Sequence, residues 1–273
     1  MKTPRKTQYI FDKDNILERH LTNRELFLFL DYDGTLAPIA ETPDKALLSQ
    51  EMRDVVTGLS ERSGCHLAVI SGRTLADLKK MIHIPNITYA GSHGFEIEGT
   101  HLNFESLIST EYLADLTAIK EQLHAKLSAI EGIWLEDKGI IVTLHFRLAG
   151  EKGEYLANEI FRTICQSYVD RHRIKIIEGK KVLEVRPPIK WDKGEAAFWI
   201  LSKWQMEKNK NQVVTIYLGD DNTDEDAFKM LDNKAVKVRV EESVRSFADY
   251  HLKNQQEVFI FLNTILTLIN KPK

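Results

Sequence analysis

The 273-residue sequence predicts an α/β fold, with a parallel-sheet core interrupted by an inserted α/β module that has an antiparallel sheet. Residues 26–30 form an unbroken Leu/Phe run, which is typical of a strand buried on both faces of a parallel sheet. Similar apolar runs recur at 65–70 and 213–218. Between them, the pattern changes to two hairpins alternating with two helices, which indicates a small antiparallel sheet covered by helices on one face.

The remaining elements follow from local patterns. Residues 1–24 are polar and predict an N-terminal extension with one short helix. Core strands are also expected at 87–90 and 235–240, and core helices at 50–60, 74–81 and 192–206 and at the C-terminus, with Ser49 and Asp192 as N-caps. The inserted module predicts a helix at 105–129, strands at 133–136 and 140–147, a helix at 151–168, and strands at 174–177 and 182–185.

Composition narrows the class of protein. The formal net charge is −3, so we expect neither a nucleic-acid partner nor a polybasic membrane surface. Cys65 and Cys165 lie far apart without His or Cys at metal-binding spacing, which favours buried, reduced thiols in a cytosolic protein. No apolar signal core follows the basic N-terminus, and the apolar stretch 258–269 is too short to span a bilayer. We therefore expect a soluble, cytoplasmic protein.

Two carboxylates follow the first buried strand. Asp31 and Asp33 are two residues apart, so on an extended backbone their side chains leave from the same side. Gly34 permits a sharp bend and Thr35 adds a hydroxyl there. Most Asp-Gly pairs are simple turns that cap a helix. Because a turn needs neither a second Asp nor a buried strand before it, and because paired carboxylates repel each other, the pattern favours a metal site.

A second acidic cluster follows the strand at 213–218. Five of the seven residues from Asp220 to Asp226 are acids, including Asp224. Their mutual repulsion would be costly in a solvated loop unless a divalent cation is nearby. The carboxyl ends of parallel strands are also where open α/β sheets bind ligands. The acidic segment at 220–226 is therefore expected to lie close to a divalent cation.

Three weaker signals accompany the acids. Ser71-Gly72-Arg73 lies between a strand and a helix, where backbone N–H groups bind anions, although such a tripeptide is more often a simple turn. His93 lies between glycines and is either a ligand contact or a structural histidine. Lys193 opens a helix, where a lysine opposes the helix dipole and is usually a surface residue. If the site binds phosphate, Lys193 is a candidate for neutralising its charge.

Taken together, these segments resemble the haloacid dehalogenase superfamily. The shared motifs are Asp-x-Asp-Gly-Thr-Leu, Ser-Gly-Arg, a later Lys that opens a helix, and Gly-Asp-Asp-x-x-Asp, in this order. Within the superfamily, segments 91–96, 136–139, 145–147, 184–187 and 219–226 are similar to trehalose-6-phosphate phosphatases, with Phe146 where many relatives have Tyr. The resemblance implies a Rossmann-like catalytic core at 1–104 and 188–273 and a large cap domain at 105–187.

The resemblance also implies a reaction. Asp31 would attack phosphorus and form an aspartyl-phosphate. Asp33 would protonate the departing sugar oxygen and then deprotonate the attacking water. Ser71 and Lys193 would bind phosphate oxygens.

By the same resemblance the cofactor would be Mg²⁺. Its ligands would be the Asp31 carboxylate, the Asp33 backbone carbonyl and Asp220, while Asp224 would orient a water or Lys193.

Substrate selection would fall to the cap and to residues close to it. The candidate substrate-binding residues are Arg73, His93, Glu136, Lys138, Arg147 and Glu184. Charged side chains in hairpins are usually only solvated, which is the alternative interpretation of these residues. The implied substrate is the sugar phosphate trehalose 6-phosphate, and pathway logic alone suggests a trehalose-6-phosphate synthase as a partner.

Three alternatives stay open at this point. The same chemistry could act on sucrose 6-phosphate, glucosyl-glycerate phosphate or a hexose monophosphate. A phosphomutase is a further alternative, although no feature indicates recycling of phosphate. An inactive sugar-phosphate-binding regulatory domain is the third, and the presence of Asp31, Asp33, Lys193 and Asp220 together weighs against it.

Overall fold

The structure is a computed structural model that describes residues 3–12, 16–21, 24–100, 102–208 and 213–270. The strands in these ranges are β1 (Gln8–Tyr9), β2 (Leu26–Leu30), β3 (Cys65–Ile70), β4 (Thr88–Gly91), β5 (Glu96–Glu98), β6 (Asn103–Glu105), β7 (Trp134–Asp137), β8 (Val142–His145), β9 (Lys175–Gly179), β10 (Val182–Arg186), β11 (Val214–Gly219), β12 (Val236–Val240) and β13 (Tyr250–Leu252). The α-helices are α1 (Ile16–Leu21), α2 (Gln50–Ser60), α3 (Leu75–Ile82), α4 (Thr110–Leu127), α5 (Gly150–Asp170), α6 (Lys193–Lys208), α7 (Asn222–Leu231) and α8 (Gln256–Ile269).

The chain divides into two compact units. The first comprises Met1–Glu105 and Trp191–Lys273, and the second comprises Ser106–Lys190. The first unit contains a large, mainly parallel sheet and the second a separate antiparallel sheet. The predicted α/β fold class is therefore confirmed. That the units act as catalytic core and cap stays a prediction.

Strand β2 lies in the middle of the large sheet. The strand order is β1-β13-β12-β11-β2-β3-β4-β5-β6, and every neighbouring pair up to β4 is parallel. The chain proceeds from β2 to β3 on one side and later returns to β11 on the other. This makes β2 a topological switch point, where α/β sheets bind ligands.

Both faces of β2 are buried. Leu26, Leu28 and Leu30 pack with helices α1, α2, α3 and α8 on one side of the sheet. Phe27 and Phe29 pack with α6 and α7 on the other side. Helices thus cover the sheet on two sides, as the unbroken apolar run predicts.

The register of the parallel strands brings distant segments to one edge. Leu30 pairs with Leu218 on β11 and with Val69 on β3. The chain continues past these strands with Asp31, whose backbone N–H donates to Leu218 at 2.9 Å, and with Ser71, whose N–H donates to Ala90. The predicted functional segments therefore leave the sheet at the same edge.

The second unit has its own core. Its four strands are antiparallel in the order β7-β8-β10-β9. Helices α4 and α5 cover one face, with Ile119 and Phe161 packed against Leu144 and Val185. The prediction of two hairpins alternating with two helices is confirmed.

Some predicted elements are wrong in detail. The helix predicted from residue 105 begins at Thr110, with Ser109 as its N-cap, because Glu105 belongs to β6. Strands β5 and β6 form a hairpin that continues the large sheet in antiparallel sense. Each of the two strands has three residues, too few to leave a periodic signal. The strand predicted at 140–147 is limited to Val142–His145.

The N-terminal extension contains α1, as predicted, and also the unpredicted strand β1. Strand β1 runs parallel to β13, with Tyr9 opposite His251. Side-chain contacts hold it there, since the Thr7 hydroxyl lies 2.9 Å from His251 Nδ1 and the Tyr9 hydroxyl donates to Glu257 at 2.9 Å. A two-residue strand fixed by contacts this distant in sequence has no local signature. Residues 13–15 and 22–23 of the extension lie outside the described residues.

Both cysteines are buried and free, as expected. The apolar C-terminal stretch is helix α8, which buries Val258, Phe261 and Ile265 against the large sheet. Within the described ranges, no helix has the length and apolar character needed to cross a membrane.

We expect Phe161→Ala to destabilise the second unit strongly. Phe161 is fully buried, and truncating a buried Phe costs about 3–5 kcal/mol because it leaves a cavity. Tyr155→Ala on the same helix is the matched control, since Tyr155 is 69% exposed and its loss should cost no more than about 0.5 kcal/mol. Urea unfolding followed by circular dichroism measures both. Equal shifts for the two variants would contradict the assignment of this core.

Candidate active site

A buried lysine joins two of the predicted acidic segments. Lys193 is the first residue of α6, where the Asp192 carboxylate caps the helix by accepting from the N–H groups of Gly194 and Glu195. The Lys193 ammonium donates to Asp31 Oδ1 at 2.7 Å and to Asp224 Oδ1 at 2.9 Å. Its side chain is 3% exposed. The alternative of an ordinary surface lysine is therefore wrong.

The Asp224 carboxylate is fixed by four donors. Its Oδ1 accepts from Lys193 and from the Tyr217 hydroxyl, at 2.9 Å each. Its Oδ2 accepts from the backbone N–H groups of Asp220 and Asp221, at 3.0 and 3.1 Å. Asp221 also caps α7 in a reciprocal capping box with Asp224. Asp224 thus holds the loop that carries Asp220.

Asp220 completes the acidic cluster. Asp31, Asp220 and Asp224 are all buried, and each offers a carboxylate oxygen such that the three atoms lie within 4.8 Å of one another. The turn after β2 approaches Asp220 so closely that a Cβ on Gly34 would lie 2.4 Å from Asp220 Oδ2. Gly34 also has φ of +87°, so this position requires glycine for both reasons.

The electrostatics of the cluster favour a bound cation. Burial raises the pKa of Asp31 well above its usual value, and nearby Asp224 and Asp220 raise it further against the opposing effect of Lys193. Burial likewise raises the pKa of Asp224 to about 6. Burial opposes the charge of Lys193, but Asp224 and Asp31 outweigh it, so the pKa of Lys193 is raised. Three carboxylates around one ammonium leave negative charge in excess, which a divalent cation would offset.

The donor set fits Mg²⁺, a hard cation that prefers oxygen ligands. Asp31 and Asp220 are the better candidates for direct ligands. Asp224 belongs to the same cluster, but both of its oxygens already accept two hydrogen bonds each, so it is suited to positioning its neighbours.

Asp33 and Arg73 form an ion pair. Arg73 donates from Nε to Asp33 Oδ2 at 2.8 Å and from Nη2 to Asp33 Oδ1 at 2.6 Å. Nη2 also donates to the Pro43 carbonyl, and the guanidinium lies over the Tyr32 ring. The Asp33 side chain is 40% exposed, unlike that of Asp31. Arg73 therefore orients the Asp33 carboxylate, and its predicted contact with substrate stays a prediction.

Ser71 and His93 lie on two joined loops. The His93 N–H donates to the Ser71 carbonyl at 2.8 Å, and Ser92 N–H donates to the Arg73 carbonyl. The His93 ring packs against Gly72, where a Cβ would lie 2.7 Å from ring atoms. Ser92 and His93 both have positive φ, and such consecutive left-handed residues are frequent at functional sites. The Ser71 hydroxyl accepts from the Arg73 N–H at 3.2 Å.

In the second unit, three of the four predicted substrate-binding residues lie together. Lys138 Nζ is 3.2 Å from Glu184 Oε1 and 3.7 Å from Glu136 Oε2. Glu184 also accepts from Thr143 at 2.9 Å and from the Arg186 guanidinium. The side chains of Lys138 and Glu184 are each 7% exposed, so these two are not solvated hairpin charges.

Arg147 lies apart from this cluster. Its side chain is exposed on the surface and donates to the Lys180 carbonyl at 2.9 Å. The structure therefore does not bring it to Glu136, Lys138 and Glu184.

The sequence analysis did not identify several residues of the polar network around Glu136 and Glu184. Thr143 and Arg186 bind Glu184, His145 Nε2 lies 2.7 Å from Glu136, and the His145 ring stacks on Trp134 with an interplanar angle of 2°. The available signal was the two-residue period of β8 and β10, which places these polar residues opposite the apolar ones that face the core.

Comparisons with known proteins settle the family. The sequence model described as Trehalose-phosphatase matches residues 29–260, a range that includes all the candidate site residues described above. The chain belongs to the trehalose-phosphatase family. The resemblance found in the sequence and the prediction of a phosphoric monoester hydrolase are thereby confirmed at the level of the family.

Two curated relatives of this trehalose-phosphatase family member are plant proteins. The chain is 38% identical over 217 residues to trehalose-phosphate phosphatase B of Arabidopsis thaliana, covering 76% of this chain and 56% of that protein. It is 36% identical over 258 residues to trehalose 6-phosphate phosphatase RA3 of Zea mays, covering 89% of this chain and 70% of that protein.

A solved structure supports the same fold. The C-terminal domain of the C. albicans trehalose-6-phosphate phosphatase superposes with a TM-score of 0.81, covering 97% of this chain and 99% of that one. At 22% identity, this similarity concerns the fold.

We expect Mg²⁺ to stabilise the chain, and increasingly so as the pH rises. Because the pKa of Asp224 is raised to about 6 in the folded state, this group stabilises the metal-free protein at low pH, and the stabilisation is lost as the pH rises from about 4 to about 6. Mg²⁺ binds ionised carboxylates, so its effect should grow over the same interval. At 100 times its Kd it should raise the thermal midpoint by roughly 5–10 °C.

Thermal unfolding from pH 4 to pH 8, with MgCl₂ or with EDTA, measures this effect. Asp220→Asn should remove most of the response to Mg²⁺. Asp226→Asn is the matched control, because Asp226 is an exposed carboxylate of the same segment and its loss should leave the response intact. The same response in all three proteins would show that the cluster does not bind the ion.

Proposed function

We propose that the chain hydrolyses trehalose 6-phosphate to trehalose and phosphate, with Mg²⁺ as cofactor and Asp31 as nucleophile. The observation that carries this proposal is the Lys193 ammonium, held 2.7 Å from Asp31 in a buried cluster with Asp220 and Asp224. Phosphoryl transfer depends mainly on positioning and on neutralisation of charge, and this arrangement provides both. The names of the plant relatives support the substrate.

In the first step an Asp31 oxygen attacks phosphorus. The bond between phosphorus and the sugar oxygen breaks, and Asp33 donates a proton to that oxygen, so that trehalose leaves and Asp31 carries the phosphoryl group. Lys193 and the Ser71 hydroxyl bind phosphoryl oxygens and offset the charge that develops there. Asp31, Asp220 and the Asp33 carbonyl would hold Mg²⁺, which would further offset the negative charge of the phosphoryl oxygens.

In the second step, water hydrolyses the aspartyl-phosphate. Asp33 accepts a proton from the water, whose oxygen bonds to phosphorus as the bond to Asp31 breaks, so phosphate leaves and Asp31 is regenerated. The two bonds from Arg73 fix the direction of the Asp33 carboxylate. This explains how a partly exposed carboxylate can be aimed at both a leaving oxygen and a water.

Selection of the sugar is assigned to Glu136, Lys138 and Glu184. They form a largely buried network in the second unit, and each can bond sugar hydroxyls. A site built from such groups rejects analogues that lack the hydroxyl, because a buried polar group would then lose the hydrogen bond that the sugar supplies. In this proposal the first unit is the catalytic core and the second is the cap.

A substrate role for His93 stays a prediction, as do the synthase partner and the cytoplasmic location.

The first test is phosphate release from a panel of sugar phosphates with Mg²⁺. We expect a strong preference for trehalose 6-phosphate over sucrose 6-phosphate and hexose monophosphates. Asp31→Asn should abolish activity on every substrate, because the amide is a poor nucleophile. Asp54→Asn, an exposed carboxylate on α2, is the control and should leave the rate unchanged. Broad activity would refute the proposed substrate, and no activity in the unmodified chain would favour the inactive binding domain.

Glu184→Gln should raise KM for trehalose 6-phosphate roughly 10- to 100-fold, because it removes a charged hydrogen-bond partner. Hydrolysis of p-nitrophenyl phosphate, which has no sugar, should be unaffected. Glu178→Gln is the matched control, since Glu178 lies on neighbouring strand β9 with a side chain that is 66% exposed. Steady-state kinetics on both substrates measures the difference. A parallel loss on both would contradict a role in recognising the sugar.

A further inference from the structure

We propose that Tyr217 is a positioning residue for phosphoryl transfer, whose hydroxyl holds Asp224 and thereby keeps the Lys193 ammonium on Asp31. This inference rests on the proposed function, because it assigns Tyr217 to the same reaction. It adds a residue that lies outside the acidic and Ser-Gly-Arg motifs and was not a candidate in the sequence.

The Tyr217 side chain has apolar neighbours around its ring and a carboxylate at its hydroxyl. Tyr217 lies on β11 and is completely buried. Its ring stacks near Phe29, with centroids 6.0 Å apart, and packs edge-on against Phe228 at 5.5 Å. The hydroxyl donates to Asp224 Oδ1 at 2.9 Å. A phenylalanine would fill the same apolar space, and burying a hydroxyl is costly without a partner, so the contact with Asp224 is what distinguishes tyrosine here.

The bond from Tyr217 completes the hold on the Asp224 carboxylate. Oδ2 is anchored by the backbone N–H groups of Asp220 and Asp221, which fix one end of the group. Oδ1 is shared between Tyr217 and Lys193. Without the tyrosine hydroxyl, Lys193 would be the one remaining hydrogen-bond donor to Oδ1 among the residues that the structure describes.

This sharing affects where the ammonium lies. Lys193 is 2.7 Å from Asp31 Oδ1 and 2.9 Å from Asp224 Oδ1, between two competing carboxylates. A neutral donor on Asp224 Oδ1 satisfies part of its charge and weakens its attraction for the ammonium. Removing this donor would draw Lys193 towards Asp224 and away from Asp31. A cation displaced from the reacting oxygens stabilises the transition state less well.

The test is Tyr217→Phe, which removes a single oxygen atom. Tyr89→Phe is the matched control, because Tyr89 is another buried tyrosine of the same sheet, and within the described ranges its hydroxyl bonds only the backbone of Ile84. Thermal midpoints, kcat and KM would be measured for the full chain with Mg²⁺. Both trehalose 6-phosphate and p-nitrophenyl phosphate would serve as substrates.

We expect Tyr217→Phe to lower kcat by roughly 10- to 100-fold, as for loss of a hydrogen bond to a charged group, with KM changed less than about twofold. The loss should be similar on both substrates, because Lys193 and Asp31 act on the phosphoryl group whichever alcohol leaves. Tyr89→Phe should lower the thermal midpoint by a similar amount and leave kcat unchanged.

Three results would overturn the inference. The first is a kcat for Tyr217→Phe within twofold of the unmodified chain. The second is a loss confined to trehalose 6-phosphate, which would indicate a role in sugar recognition. The third is a loss that accompanies a much lower thermal midpoint and disappears on cooling, which would make the hydroxyl purely structural. Asp31→Asn distinguishes a failure of this inference from a failure of the proposed function. Activity that survives Asp31→Asn would refute the proposed reaction, in which Asp31 is the nucleophile.

Discussion

The buried ion pair between Lys193 and Asp31 is the contact on which the site depends. Burying an ammonium and a carboxylate is costly unless their geometry is close and their remaining bonds are satisfied. Here Asp224 provides the second partner for Lys193 and is itself held by Tyr217 and by the N–H groups of the loop at 220–221. Removing any member would leave a buried charge without adequate compensation.

The sheet makes this arrangement possible. In-register parallel strands β2 and β11 deliver Asp31 and Asp220 to one edge, and the two apolar faces of β2 anchor them rigidly. The close approach also needs small residues. A Cβ on Gly219 would lie 2.3 Å from Asp224 Cγ, just as one on Gly34 would meet Asp220. The fold thus supplies the rigidity that a cluster of like charges cannot provide for itself.

The second unit also buries charged side chains that are paired with one another. Glu184 is buried with Lys138, Thr143 and Arg186 around it, so its charge is paired in the absence of substrate. Such a network is rigid and can discriminate among hydroxyl patterns, because each misplaced group costs a hydrogen bond. The described residues of each unit thus form a buried polar network, and the proposed function assigns the phosphoryl group to the first and the sugar to the second.

The sequence by itself determined the fold class, the strands with long apolar runs and the acidic residues at their ends, because these features are local. It could not show that Arg73 pairs with Asp33, that Tyr217 binds Asp224, or that Arg147 lies apart from Glu184. Lys193 and Asp31 are separated by 162 positions. Strand order and register decide which side chains meet over such distances. Only the tertiary structure contains this order and register.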